Sequence, residues 1–219
     1  MEVIDAKDEL KRTKQAFILF MIGEISLMLG ALSMGADFKF LPRWLESFAF
    51  FDFVAFLLSF IALCLLRKLH VSFTYSAISV GVLFVAMTFD GVCLTSEESL
   101  YLLWGKGLGW TCDLLLCLYH VYFFQGCLFI FKKYNDEKMS KKVKQVAIIY
   151  LVIFATFILF KIGTVIPAIL KNTVANRVFI FGTLFFTLST FIFTLINVIY
   201  ISIKVSIIRK EEHNDVSEN

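Results

Sequence analysis

Long runs of apolar residues alternate along this chain with short segments in which polar and charged residues collect. Six runs stand out, over residues 15–36, 48–66, 71–94, 108–131, 146–170 and 178–203. A helix needs roughly 20 largely apolar residues to cross the hydrocarbon core of a bilayer, and each run is about that long. The pattern predicts an all-α membrane protein with about six transmembrane helices in one bundle over residues 15–203.

The two ends of the chain are polar and leave no room for a soluble domain. Residues 1–14 are predicted to form a cytoplasmic segment, and residues 204–219 a polar cytoplasmic tail that is disordered beyond Arg209. The first apolar run is too long for the core of a signal peptide, and no cleavage site follows it. We therefore expect it to be retained as the first helix.

Composition narrows the function classes without changing this picture. Of the 219 residues, 59% are hydrophobic and 18% are charged, which is far more apolar than a soluble domain requires. The formal net charge of +3 and the lack of basic stripes interleaved with aromatic residues argue against nucleic acid as a partner. The lipid bilayer is the expected environment, and a cell or inner membrane is the expected location of this multi-pass chain.

Lysine and arginine are distributed unevenly between the two sets of predicted loops. Fifteen lie on the side that holds both termini, and five lie on the other side. Cytoplasmic loops carry an excess of these residues, so the asymmetry predicts that both termini are cytoplasmic. The inner segment 132–145 is predicted to be a solvated basic loop that would meet anionic lipid or a partner protein. The outer segment 95–107 is predicted to lie on the membrane surface or to fold back as a lid.

Ionisable side chains inside the apolar runs are the candidate ligand-binding residues, because they are costly at membrane depth unless they face the bundle interior or water. They are Asp52, Asp90, Asp113, Lys161, His120 and Glu24. At 1.5 Å per residue, the three aspartates lie about 6–8 Å below the outer ends of their helices, and the lysine about 12 Å. These four residues are predicted to line an outer vestibule, in which Lys161 pairs with Asp113 or Asp90. The glutamate and the histidine lie deeper, at about 18 Å, and would extend the polar path inward.

Small and polar residues also recur at helical spacing on five of the runs. On the sixth run the stripe is formed by Thr183, Thr187, Thr190, Thr194 and Asn197. One interpretation is close helix packing, for which membrane helices use small and hydroxylic residues. The other is a polar interior shared by the five helices, with the remaining apolar surface facing lipid.

The sequence gives only a weak indication of metal binding or thiol catalysis. His120, Cys117 and Asp113 share one face of the fourth run and superficially resemble a metal site or a thiol-catalysis site. Asp113 and His120 are about 10 Å apart on a straight helix, however, and no metalloprotease, hydrolase or P-loop motif is present. We predict no metal and no cofactor. Cys93 and Cys112 would both lie near the outer surface, where either a disulfide or two apolar thiols would fit.

Pro167 is predicted to kink or end the fifth helix near its outer end. A proline in a helix removes a hydrogen-bond donor and clashes with the preceding turn, which frees backbone carbonyls. These carbonyls would lie beside the charged residues of the predicted vestibule. A small cation or a ligand amine would be held there.

Three functions follow, in order of preference. The first is a transporter, or the membrane subunit of one, that binds a small polar or cationic solute from the outer side. The second is a membrane sensor or regulatory subunit that signals to a partner protein, favoured by the absence of an energy-coupling motif. The third is an intramembrane enzyme that uses His120 with Cys117 or Asp113.

Overall fold

The computed structural model describes residues 2–33, 48–93, 98–166, 169 and 171–217, and it describes side chains over 11–29, 51, 53–86, 110–166, 169, 171–205 and 207. These residues form six α-helices and no strand, so the predicted all-helical class is confirmed. The helices are α1 (Glu2–Ser33), α2 (Phe48–Leu66), α3 (Val71–Cys93), α4 (Glu98–Lys133), α5 (Glu137–Gly163) and α6 (Thr173–Ser217).

The helices are arranged as a closed ring. Each one packs against its neighbours in the chain, and α6 also packs against α1, which completes the ring. Across the interior, α1 and α4 meet through aromatic side chains: the Phe20 and Phe123 rings stack with their centroids 4.0 Å apart. All six helices contribute buried apolar side chains to the interior, and those of α5 include Tyr150 and Phe154.

Within the described residues, three helical segments, rather than the predicted six, are long and apolar enough to cross a membrane, namely Trp110–Lys133, Glu137–Gly163 and Thr173–Val205. The described parts of α2 and α3 contain shorter apolar segments, Phe53–Leu66 and Val71–Ala86. Large apolar side chains are exposed on the outside of α5 and α6, including Leu159, Phe181 and Phe185. An apolar exterior of this kind suits contact with lipid and would be costly in water.

Segments 95–107 and 132–145 were predicted to be loops between helices. This prediction is wrong, because helices extend into both segments. The outer segment 95–107 is instead helical from Glu98 onward and continues into α4. No proline interrupts it, and its glycines weaken a helix without ending it. At the inner side, α4 ends at Lys133 and α5 begins at Glu137, so the predicted loop 132–145 is reduced to a short turn.

That inner turn has a specific local cause. Asn135 adopts the left-handed conformation, with φ of 54°, which ends α4. Asp136 then caps α5, and its carboxylate accepts a hydrogen bond from the Met139 backbone N–H at 2.9 Å. A side-chain acceptor at this position satisfies one of the free N–H groups of the first turn. The lysines that follow are exposed on the helix rather than on a loop.

The prediction of a disordered tail beyond Arg209 is also wrong, since α6 continues to Ser217. Adding a residue to an existing helix costs much less than starting a new one. The sequence after Arg209 contains neither proline nor glycine. Nothing in it therefore stops the helix that the packed part of α6 has begun.

At its outer end α5 finishes at Gly163, four residues before Pro167, as expected for a helix that approaches proline. The carbonyls freed there already have donors. The backbone N–H of Thr164 donates to Phe160 and Lys161, that of Val165 to Ile162, and that of Ile166 to Gly163. The carbonyls from Phe160 to Gly163 are therefore not left without hydrogen bonds, and cation binding at this end of α5 stays a prediction.

The close contact between α5 and α6 depends on two glycines. A methyl group on Gly163 would lie 2.0 Å from the Phe179 ring, and one on Gly182 would lie 2.0 Å from the Phe160 ring. Each helix thus places a phenylalanine over a glycine of the other. This reciprocal packing fixes the spacing of the two helices next to Lys161.

Candidate functional site in the bundle interior

Five polar side chains from four helices meet in the bundle interior, and we call them the central cluster. They are Glu24 on α1, Ser59 on α2, Tyr119 and His120 on α4, and Tyr150 on α5. All five are buried, and Glu24 retains only 1% of its accessible surface. Two of the six predicted ligand-binding residues, Glu24 and His120, are therefore in direct contact.

Glu24 is held from two sides. The Tyr119 hydroxyl donates a hydrogen bond to Glu24 Oε1 at 2.5 Å, and the His120 Nε2 atom lies 3.3 Å from Oε1 and 3.2 Å from Oε2. The Tyr119 hydroxyl oxygen also lies 3.1 Å from Ser59 Oγ. A buried carboxylate requires such partners, because charge is costly to desolvate when it is unpaired.

The other ring nitrogen of His120 faces away from Glu24. Its Nδ1 atom lies 3.0 Å from the Leu116 carbonyl oxygen and 3.0 Å from the Tyr150 hydroxyl oxygen. Both nitrogens of the ring are thus engaged by groups other than Cys117 and Asp113. The predicted pairing of His120 with either residue in a catalytic arrangement has no support in this geometry.

Close helix packing positions the cluster. A methyl group on Gly23 would lie 2.4 Å from Ser59 Oγ and 3.0 Å from the Ala55 carbonyl oxygen. Only glycine lets α1 approach α2 this closely, and the approach brings Glu24 within reach of the Tyr119 hydroxyl. On α3, the Ser76 hydroxyl donates to the Tyr119 carbonyl at 2.7 Å, which fixes α4 against α3.

A second charged group, the outer pair, joins α4 to α5. Lys161 Nζ donates to Asp113 Oδ2, and both side chains are partly exposed, at 28% and 18%. The ammonium also lies 5.0 Å from the Trp110 ring centroid and 5.7 Å from that of Phe157. A cation over an aromatic face gains a further attraction. Of the two aspartates considered as partners for Lys161, the structure uses Asp113.

The other two residues of the predicted vestibule, Asp52 and Asp90, stay predictions. The side chains of Asp52 and Asp90 lie outside the described residues, as does that of Cys93, so the proposed disulfide with Cys112 stays a prediction. Among the described residues, no group of three histidine, cysteine, aspartate or glutamate side chains is close enough to hold a metal ion.

The polar stripe on α6 mostly serves its own helix. The hydroxyls of Thr183, Thr187 and Thr190 donate to backbone carbonyls four residues earlier, at 2.7–2.8 Å. The amide of Asn197 does the same. Such local bonds satisfy polar groups without a ligand or a neighbouring helix. Thr194 differs, because its buried hydroxyl has no hydrogen-bond partner among the described residues.

Three members of the central cluster were not among the predicted site residues. Ser59 belongs to a small-residue stripe on α2, and its spacing was a usable signal. Tyr119 and Tyr150 carried no signal beyond being tyrosines in apolar runs. A buried tyrosine generally needs a partner for its hydroxyl, and this requirement was the available clue.

Comparison with known proteins adds no relative. No protein-family model, no curated protein and no solved structure matches this chain.

Proposed function

With no relative to transfer a role from, we propose on the site alone that this chain is a membrane transporter, or the membrane subunit of one, for a small polar or cationic solute. The central cluster carries this proposal. A buried carboxylate and histidine at membrane depth are expensive and are found where ions, protons or substrates pass. A purely structural role would be met more cheaply by apolar side chains of similar volume.

The proposal includes six crossings with both termini in the cytoplasm. Charge asymmetry between the two sides supports the orientation. The ring order supports six crossings, because α1 packs against α6 and α3 packs against α4, two of the helices that are long enough to span, and α2 packs between α1 and α3. A helix that stood outside the membrane could not keep these neighbours along its length.

In this proposal the solute enters from the outer side, where Asp52 lies about one turn from the start of α2, Asp90 about one turn from the end of α3, and the outer pair joins α4 to the end of α5. Asp113 is paired with Lys161, and we expect Asp52 and Asp90 to attract the cation. The central cluster lies deeper along the same bundle. The central cluster would respond to binding of the solute, or it would supply the energy coupling that drives solute movement.

The test is uptake by the full-length chain reconstituted in liposomes, with Mg²⁺, spermidine, thiamine and arginine as probes. We expect at least one probe to enter, and Glu24→Gln to abolish its entry. Glu137→Gln is the matched control, because it makes the same change at a side chain that is 87% exposed. Unchanged uptake in Glu24→Gln, or no uptake of any probe by the natural chain, would overturn the proposal.

A sensor or regulatory subunit is the second candidate, and a specific feature favours it. The basic segment 132–145 is held on two capped helices, and all six of its lysines are exposed. Lys142 Nζ lies 3.6 Å from the Tyr200 ring centroid, which ties this surface to α6. An ordered basic surface suits an acidic partner protein or anionic lipid. Absence of uptake in the liposome test would favour this candidate.

A further inference from the structure

The central cluster is built to hold His120 in two protonation states without moving its heavy atoms. The Leu116 carbonyl beside Nδ1 can only accept a hydrogen bond, whereas the Tyr150 hydroxyl can donate or accept one. A protonated Nδ1 donates to either oxygen, both of which are 3.0 Å away. A bare Nδ1 instead accepts from the Tyr150 hydroxyl. Each state of the ring therefore finds a partner in the same geometry.

On the opposite side of the ring, Nε2 lies within hydrogen-bond distance of both oxygens of Glu24, so the two residues can share one proton there. With both ring nitrogens protonated, an imidazolium faces a carboxylate. Moving the shared proton to Glu24 gives a carboxylic acid that faces a neutral ring. Both arrangements hold the same protons and have no net charge. Loss of one proton leaves a carboxylate facing a neutral ring with its proton on Nε2, and a net charge of minus one.

No buried cation compensates that negative charge in the described part of the chain, where every lysine and arginine is at least partly exposed. Within the described residues, the buried polar side chains on the helices packed against α1 and α4 are uncharged. They are Ser59, Ser72, Ser76, Ser79, Tyr150, Thr190, Thr194 and Ser202, and α1 and α4 themselves add Thr13, Ser26, Tyr119, Cys117 and Cys127. The outer pair on α4 and α5 is neutral as a unit. The deprotonated cluster therefore gains by binding a cation.

The spacing of the cluster selects the smallest cation. Glu24 Oε1 is already 2.5 Å from the Tyr119 hydroxyl, and Oε2 is 3.2 Å from His120 Nε2. A metal ion or an ammonium group would have to displace one of these partners, whereas a proton fits within the existing contacts. We propose that the Glu24–His120 pair is a proton-binding site and that H⁺ drives the proposed transport. The second half of this inference rests on the proposed function.

Nitrogen-15 NMR of the full chain, labelled at histidine, tests the site itself. The chain has three histidines, and His120→Gln identifies the signal of His120. We expect His120 to change reversibly between neutral and protonated forms during a pH titration. Glu24→Gln should lower its proton affinity at least about tenfold, because the imidazolium loses its opposite charge. His70, which is half-buried and stacks on Phe129, is the internal control.

Tyr150→Phe provides a test of the opposite sign. It removes the hydroxyl that donates to bare Nδ1, so the neutral ring loses a partner and His120 should retain its proton to higher pH. Glu137→Gln should leave the pH dependence of both the His120 and the His70 signals unchanged. A His120 signal that stays in one form while His70 titrates would overturn the proton site. A role in packing alone would not produce opposite shifts in the two variants.

Uptake in liposomes with an imposed pH gradient tests the coupling separately. Acidification of the side from which the solute enters should increase uptake by the natural chain, and Glu24→Gln should take up no probe with or without the gradient. Uptake that does not depend on the pH gradient would contradict coupling to H⁺ but would remain consistent with the proposed transport. A titrating His120 in a chain that moves no probe overturns the proposed transport but leaves the proton site standing.

Discussion

The central cluster and the outer pair both join a carboxylate to a basic side chain across two helices, but they are built differently. Glu24 and His120 are buried, at 1% and 0% exposure, and further groups on α2, α4 and α5 hold them. Asp113 and Lys161 are partly exposed and rely on one flexible lysine. The comparison teaches that opposite charges alone do not identify a functional site. Burial and support from several helices distinguish the central cluster from a local ion pair such as the outer pair.

Removal of His120 should give the largest loss of stability. His120→Leu leaves the Glu24 carboxylate buried with only the Tyr119 hydroxyl, and breaking a buried pair in this way costs about 3–5 kcal/mol. The measurement is the free energy of unfolding in detergent. His70→Leu is the matched control, and it should cost well under half as much, because His70 is not paired with a buried charge.

A double variant keeps this prediction decisive even if His120→Leu does not fold. Glu24→Leu combined with His120→Leu removes both partners, and replacing a buried pair by apolar groups is often close to neutral. The double variant should therefore be more stable than His120→Leu alone. If it is no more stable, the carboxylate is not the source of the cost, and the central cluster is not an electrostatic unit.

Gly23→Ala should have the next largest effect, because it acts on the packing that brings Glu24 into the cluster. The new methyl would lie 2.4 Å from Ser59 Oγ and 3.0 Å from the rigid Ala55 carbonyl. Overpacking of this kind costs about 1–3 kcal/mol. Thermal unfolding in detergent measures it, and Gly81→Ala is the control, since its nearest neighbour is the Phe60 ring at 3.1 Å. Equal losses in the two variants would contradict a special role for Gly23.

The helices were predictable because their signal is local. The six apolar runs each correspond to a helix, and α2 has the predicted bounds 48–66. Helix ends were less predictable where charged residues continue a helix into water, as they do in α5 before Val146 and in α6 after Arg209. Polarity indicates exposure to solvent, and an exposed segment can still be helical when its first turn is capped or an existing helix extends into it.

The central cluster was only partly predictable, because its residues lie on different faces of several helices. Stripes of residues at helical spacing select one face of each helix. Tyr119 and His120 are adjacent in sequence and so about 100° apart around α4, yet both contact Glu24. A single stripe includes one of them and excludes the other. The ring order of the helices, which brings α1 opposite α4, is set by packing that no single run encodes.

Disruption of the outer pair should give the smallest effect. Asp113→Asn, Lys161→Met and the double variant form a double-mutant cycle, and we expect a coupling free energy of about 1 kcal/mol or less, as for partly exposed pairs. The Trp110 and Phe157 rings near the ammonium reduce the cost of Asp113→Asn further, because they still attract the cation. Unfolding in detergent at low and high salt gives the coupling, and salt should weaken it. A salt-independent coupling as large as the loss in His120→Leu would mean that the outer pair is effectively buried, and the contrast between the two charged sites would then fail.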